Sequence, residues 1–238
     1  MKMYKKVMAA ALAGVMTVSM SATAFAADDD GYILKATNED SKSSDNDLVI
    51  AIEGSVSSMD PANIPDTNAI SATRGVYETL VSFDENQELT GKLAESWEVS
   101  DDSLTYTFKL RQGVKFQDGT DFNAAAVKAN YDRVVNKDNN LRQRRTFIVT
   151  NEDGSETPRV DSIETPDDYT VVFHLTQPDS AILSKLTYSS LAVLDSAVVK
   201  EHGGTDAADA SSTDTAQAYL DTASAGSGMY IMTSYTPD

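Results

Sequence analysis

Residues 93–119 read LAESWEVSDDSLTYTFKLRQGVKFQDG, and their pattern decides the fold class. Leu104, Tyr106, Phe108 and Leu110 alternate with Thr105, Thr107 and Lys109. Successive strand residues point to opposite faces, so this alternation places four large apolar groups on one face of a strand. The acids and serines after Val99 form a turn, and Trp97 and Val99 open the partner strand. Val114 and Phe116 lead into Asp118-Gly119, a tight-turn signal. The stretch therefore predicts antiparallel sheet with one buried face, packed over Trp97 as a core residue.

Helical spacing flanks this sheet. Ile70, Val76, Tyr77 and Leu80 predict a helix over residues 68–80 with Asn68 as its cap. Asn123 is positioned to cap a second helix, in which Val127, Tyr131 and Val134 share a face. A second hairpin is expected between Val160 and Thr176, turning at Pro166-Asp167-Asp168, with Tyr169, Val171, Phe173 and Leu175 alternating. Asp179 and Asp195 are expected to cap short helices, the second stopping at Gly203-Gly204, and Tyr230 and Met232 suggest a last strand. Upstream, Leu48–Ile52 (LVIAI) predicts a buried strand that runs into the loop EGSVSSMDP, residues 53–61, where Gly54, three serines and Pro61 stop regular structure. The fold class is α/β in the mixed α+β sense.

The chain has 238 residues and is 41% hydrophobic, enough to build a core. Residues 1–26 read as a secretory signal peptide: Lys2, Lys5 and Lys6, then the short apolar run 7–20, then Ala24-Phe25-Ala26 as a cleavage site, with cutting expected after Ala26. Residues 27–47 are acidic and lack periodicity, which predicts a flexible leader. Removing the three signal lysines from 19 basic side chains leaves 16 against 37 acids, a net charge of −21. Such a surface argues against nucleic acid as a partner. With no cysteine, the exported chain has no disulfide and no lipid anchor through Cys, so the expected location is secreted, periplasmic or on the outer face of the envelope.

Enzyme chemistry finds no foothold. There is no Cys, only His174 and His202, no G-x-S-x-G elbow, no HExxH spacing and no phosphate-cradling glycine loop. No catalytic residue, metal ligand or cofactor is assigned, and a non-enzymatic binder is the simplest reading. An ion pair between Arg111 and Asp118 or Asp102 is expected to be structural.

The segments RGVYETLVSF (74–83), KLAESWEVSDDSLTYTFKLRQGVKFQDGT (92–120) and FNAAAVKANYDRV (122–134) resemble the N-terminal signature of the family 5 extracellular solute-binding proteins. These are the dipeptide-, oligopeptide- and nickel-binding components of ATP-binding cassette (ABC) importers. The signature is met at Tyr77, Glu78, Leu80, Leu93, Ala94, Ser96, Trp97, Asp102, Phe108, Leu110, Arg111, Val114, Phe116, Asp118 and Gly119. SSMDPA (57–62), the hairpin at 160–183 and GSGMYIMTSYTP (226–237) extend the likeness, the last departing from the family pattern at Ser227 and Met229.

The resemblance implies a periplasmic-binding-protein-like type II lobe with an inserted second domain and with the C-terminal lobe absent. On that reading residues 48–66 begin lobe I, 67–190 form the inserted domain and 191–238 return to lobe I as an N-terminal fragment of a longer protein. It further implies a monomer that captures a short peptide and delivers it to permease and ATPase subunits of an importer. The ligand loop then falls, by position, on Glu53, Gly54, Ser55, Val56, Ser57 and Ser58, where an extended peptide pairs with the backbone. An ordinary strand-to-helix connection is the plain alternative for this loop. The rival functions are a secreted hydrolase with its catalytic residues beyond residue 238, a nickel-chelate binder on the same fold, and a non-transporting receptor or chaperone.

Overall fold

The computed structural model describes residues 54–205, 207 and 213–236. The signal segment, the leader, the expected strand Leu48–Ile52 and Glu53 lie outside the described residues.

The first helix, α1 (Thr67–Thr73), is shorter than its apolar spacing predicts, and Asp66 rather than Asn68 caps it, accepting the Ala69 N–H at 2.8 Å. Its last carbonyl, on Thr73, accepts from both Val76 and Tyr77, and the chain then straightens so that Glu78 bridges to Val193. The misleading periodicity has a tertiary cause. Leu80 is buried in the main core, whereas Val76 and Tyr77 enter a second, smaller one with Leu194 and Leu220.

Strands β1 (Val81–Phe83) and β2 (Leu89–Gly91) form a short ribbon that leads into the main hairpin, β3 (Ala94–Val99) and β4 (Thr105–Leu110). The intervening turn follows from its residues: Asp102 accepts the Leu104 N–H at 3.0 Å and the Ser100 hydroxyl at 2.6 Å, and Ser103 takes a φ of +58°. As the alternation requires, Tyr106, Phe108 and Leu110 are buried and Leu104 packs at the margin. Trp97 is half-buried against the same core. The turn at Asp118-Gly119 forms with Gly119 at φ +93°, but the flanks make a single bridge, Lys115 to Asp121, rather than strands. Arg111 makes no ion pair with Asp118 or Asp102. Its Nε donates to the Lys92 carbonyl at 3.0 Å, and both aspartates serve their own turns.

Helix α2 (Ala124–Val135) forms as its spacing predicts, with the Asn123 side chain accepting the Ala126 N–H at 3.0 Å and Val127, Tyr131 and Val134 buried. After two 3-10 turns and a ribbon of β5 (Ile148–Thr150) with β6 (Glu156–Pro158), the second hairpin joins β7 (Val160–Asp167) to β8 (Thr170–Leu175). Its turn falls on Asp168-Tyr169, later than expected, because β7 carries a register irregularity between Glu164 and Asp167. Pro166 lies in that irregularity on an edge strand, where its missing N–H costs no ladder bond. The four-stranded antiparallel sheet runs β3-β4-β8-β7. Between it and α2 sits the core, in which Phe108, Tyr131, Phe147 and Phe173 meet edge to face at centroid separations of 5.1 to 5.6 Å.

Short helices follow: α3 (Ile182–Lys185), α4 (Ser196–Glu201) and α5 (Gln217–Leu220). Asp195 caps α4, accepting from Ala197 and Val198, and Gly203 follows at φ +88°. Asp179 accepts the Ala181 N–H and pairs with Lys185 and, at 3.7 Å, with Arg159. Partial burial works to raise the Asp179 carboxyl, but Lys185, the Ala181 N–H and Arg159 outweigh it and hold the pKa below the ordinary 3.8. A folded-state pKa below the unfolded one means stability that is present above the unfolded value and lost as pH falls through the folded value. Asp179→Asn is therefore expected to lessen the fall in stability between about pH 5 and pH 3, read from urea melts at each pH. An unchanged acid limb would refute this assignment.

The expected last strand does not form. Residues 228–236 are irregular, joined to the body by two backbone bonds, Gly228 N–H to Val76 and Tyr230 N–H to Gly75, both 3.0 Å. Gly226 and Gly228 permit that approach, since a Cβ on Gly226 would lie 2.0 Å from the Val76 carbonyl oxygen.

Candidate functional site

The loop 54–58 is built by its residues in two layers. Gly54, Ser55 and Ser57 are exposed and Val56 is half-buried, whereas Ser58 is turned into the protein at 3% exposure. Gly54 has φ +103°, a conformation that disfavours any side chain, and a Cβ there would lie 2.7 Å from the Asn68 amide nitrogen. Asn68, expected as a helix cap, instead turns its amide toward the Ser55 carbonyl at 3.5 Å. The Tyr235 hydroxyl donates to the Val56 carbonyl, and Ser57 donates to Asp66 at 3.3 Å. Of the six residues assigned from sequence, Gly54, Ser55 and Ser57 lie at the surface, Val56 is partly covered between them, Ser58 anchors them from below, and Glu53 lies outside the described residues.

The anchor is a buried polar network. The Ser58 hydroxyl donates to Asp221 at 2.9 Å and accepts the Asp60 N–H at 3.1 Å, and Asp221 also takes the Met59 N–H at 2.6 Å. Asp60 in turn forms a two-pronged pair with Arg133 of α2, at 2.7 and 3.2 Å, and Arg133 spans to Asp214 at 2.7 and 3.0 Å. The three side chains are 2% exposed or less. Burial disfavours the guanidinium charge, but Asp60 and Asp214 outweigh that cost and hold the Arg133 pKa above its already high value. Asp214 also receives the Thr205 and Ala216 N–H groups, which satisfies its remaining lone pairs. The network joins the loop, α2 and the segment entering α5, so the position of the loop is fixed by chain far away in sequence.

Sequence reasoning missed Arg133, Asp214, Asp221, Asn68 and Tyr235 as supports. Asp60 lies within the SSMDPA likeness and was legible as a motif, though not as an ion-pair partner. Arg133 carries one signal, a cation on a helix beside the apolar positions Tyr131 and Val134. The two distal aspartates stand in a small-residue stretch without periodicity and carry none. Of the two histidines, His174 lies near Thr105 and Glu164, and His202 stacks its ring on Tyr219 at 3.6 Å. Among the described residues no group of three or more His, Asp or Glu side chains is arranged to hold a metal ion, and no helix is long and apolar enough to cross a membrane.

Comparison with known proteins gives this architecture its family. The glutathione-binding protein GsiB of Escherichia coli (strain K12) is 35% identical over 190 residues, which cover 80% of this chain and 32% of that protein. Among solved structures, the periplasmic binding protein DppA from Helicobacter pylori, in complex with the peptide STSA, is 30% identical at a TM-score of 0.50, with 61% of this chain and 30% of that one aligned. NikA from Brucella suis, in complex with Fe(III)-EDTA, is 32% identical at a TM-score of 0.51, with 64% and 29% aligned. The chain thus spans about a third of the length of the curated relatives it matches, and its mixed α/β architecture is part of the type II periplasmic-binding-protein fold. A profile of the bacterial extracellular solute-binding proteins, family 5 Middle, matches residues 88–238, and the chain belongs to that family.

Proposed function

We propose that this chain supplies one wall of the capture site of an extracellular binding protein, which takes short peptides and passes them to the permease and ATPase subunits of an ABC importer. The observation that carries the reading is the loop itself. Gly54 to Ser57 present backbone and hydroxyl groups at the surface, held from beneath by a buried network. Such a surface suits an extended peptide, whose backbone pairs with the loop while its side chains are met loosely. Relatives named for glutathione, itself a tripeptide, and a neighbour solved with the peptide STSA support the ligand class. In this proposal residues 48–66 and 191–238 belong to one lobe and 67–190 to the inserted domain, and export uses the signal segment cut after Ala26. Glu53 joins Gly54 to Ser57 along the ligand, with Ser58 as their anchor.

The test is a thermal-shift titration of the full-length protein with glutathione and with mixed di- to hexapeptides. Binding to the folded state alone raises the melting temperature, by about 2.7 kcal/mol of stabilisation at a hundredfold excess over Kd. No stabilisation by any of them would defeat the peptide reading. A metal chelate is the second reading, favoured by the likeness to the protein solved with Fe(III)-EDTA. Stabilisation by nickel with histidine, and not by peptides, would transfer the proposal to it.

A further inference from the structure

We propose that Tyr235 and Asn68 are positioning residues that aim two backbone N–H donors of the loop at the ligand. The proposal rests on the capture reading above and deepens it.

The argument runs through the peptide plane. Each amide is planar and trans, so its carbonyl and the following N–H are fixed on opposite sides of one rigid unit, and the chain contains no cis bond among the described residues. The Asn68 amide approaches the Ser55 carbonyl and the Tyr235 hydroxyl donates to the Val56 carbonyl. Holding the Ser55 carbonyl sets the direction of the Val56 N–H. Holding the Val56 carbonyl sets that of the Ser57 N–H. Two consecutive peptide planes are thus fixed by side chains from α1 and from residue 235, while among the described residues no group accepts either N–H.

Those two donors lie where the loop is exposed or half-buried, next to Gly54, whose missing Cβ makes room for the Asn68 amide beside the loop. What they take is an acceptor, which in a short peptide is a main-chain carbonyl or the terminal carboxylate. The carbonyls of Ser55 and Val56 are already engaged, so this part of the loop meets the acceptor side of its ligand. Pre-aiming the donors removes the ordering that binding otherwise requires, so the gain is expected in affinity rather than in fold stability.

Tyr235→Phe keeps the ring and removes only the hydroxyl. In the full-length protein it is expected to weaken binding of glutathione or trialanine about 3- to 10-fold, the worth of one hydrogen bond. The melting temperature of the unliganded protein should stay within about 2 °C, as for a mild surface change. The 15N order parameters of Val56 and Ser57 should fall, which a merely structural role elsewhere would not produce. Affinity within about twofold of the parent, with those order parameters unchanged, would overturn the proposal. If the parent binds neither probe, the capture reading fails, and the order parameters alone still decide whether Tyr235 positions the loop. Should Tyr235→Phe not fold, Asn68→Ala releases the other plane and is read in the same two ways.

Discussion

Arg133→Ala is expected to remove about 3–5 kcal/mol of stability, measured by urea unfolding at neutral pH, because it leaves two carboxylates buried without a counter-charge. Asp60 and Asp214 are each within 2.7 Å of the guanidinium and at most 1% exposed. In the parent neither carboxylate is open to solvent that could stand in for the lost partner. Since a domain of ordinary stability has only about 5–15 kcal/mol in hand, the variant should be substantially unfolded under mild denaturant. Arg133→Lys keeps the charge but replaces a rigid fork of donors with a single ammonium, so it cannot bridge both carboxylates in two-pronged fashion, and an intermediate loss of about 1–3 kcal/mol follows.

A discriminating control neutralises the whole triad. Arg133→Met combined with Asp60→Asn and Asp214→Asn removes the charges together, and it should recover much of the loss, since the penalty lies in the unpaired charge more than in the absent bonds. A cost below about 1 kcal/mol for Arg133→Ala would show that water or local rearrangement relieves the two aspartates, and that the network does not anchor the loop. Ser58 ties this network to the loop at residues 54–57 through the Asp60 N–H. Arg133→Ala should therefore speed amide exchange at Met59 and Asp60, whose N–H groups are bonded within the network.

The parts of this fold that could be read from sequence are those whose signal is local. The alternation from Leu104 to Leu110 and the spacing of Val127, Tyr131 and Val134 describe faces that a single element buries by itself, and both elements form as read. Asn123 and Asp195 mark helix starts because their side chains satisfy N–H groups two or three residues away. The reading failed where apolar residues serve two different cores. Val76 and Tyr77 enter one core and Leu80 another, so their spacing mimics a helix across what is a bend. Tyr230 and Met232 misled for a related reason: two backbone bonds to residues 75 and 76 hold that segment without making a ladder.

The candidate site was legible only as a position. A family likeness assigns its serines and glycine by position alone, and the groups that hold them come from residues 68, 133, 214, 221 and 235. No pattern within a short window predicts that Asp214, 154 residues after Asp60, shares its arginine. Polar networks of this kind are specified by three-dimensional charge balance, which neither periodicity nor propensity records.

Phe173→Ala is the second large effect, at about 3–5 kcal/mol, for a reason independent of charge. Phe173 is fully buried on β8, where it stands opposite Tyr106 in the strand register. Its ring meets Phe108 at 5.6 Å and 78° and Tyr131 at 5.1 Å and 80°, so it joins the sheet face to α2. Truncation removes the transfer energy of the ring and leaves a cavity walled by aromatic groups that cannot collapse far, because β4 and α2 are each held by their own hydrogen bonds. Phe173→Leu refills most of the volume but loses two edge-to-face contacts worth about 0.5–1.5 kcal/mol each, so a loss of about 1–3 kcal/mol is expected. Phe83→Ala serves as the control, since Phe83 is 43% exposed on β1 and its removal should stay within about 0.5 kcal/mol. The three variants are ranked by urea unfolding, with the slope checked for constancy. A Phe173→Ala loss no larger than that of Phe83→Ala would mean that sheet and helix do not share one packed core, and the alternation that defines β4 and β8 would then have another cause.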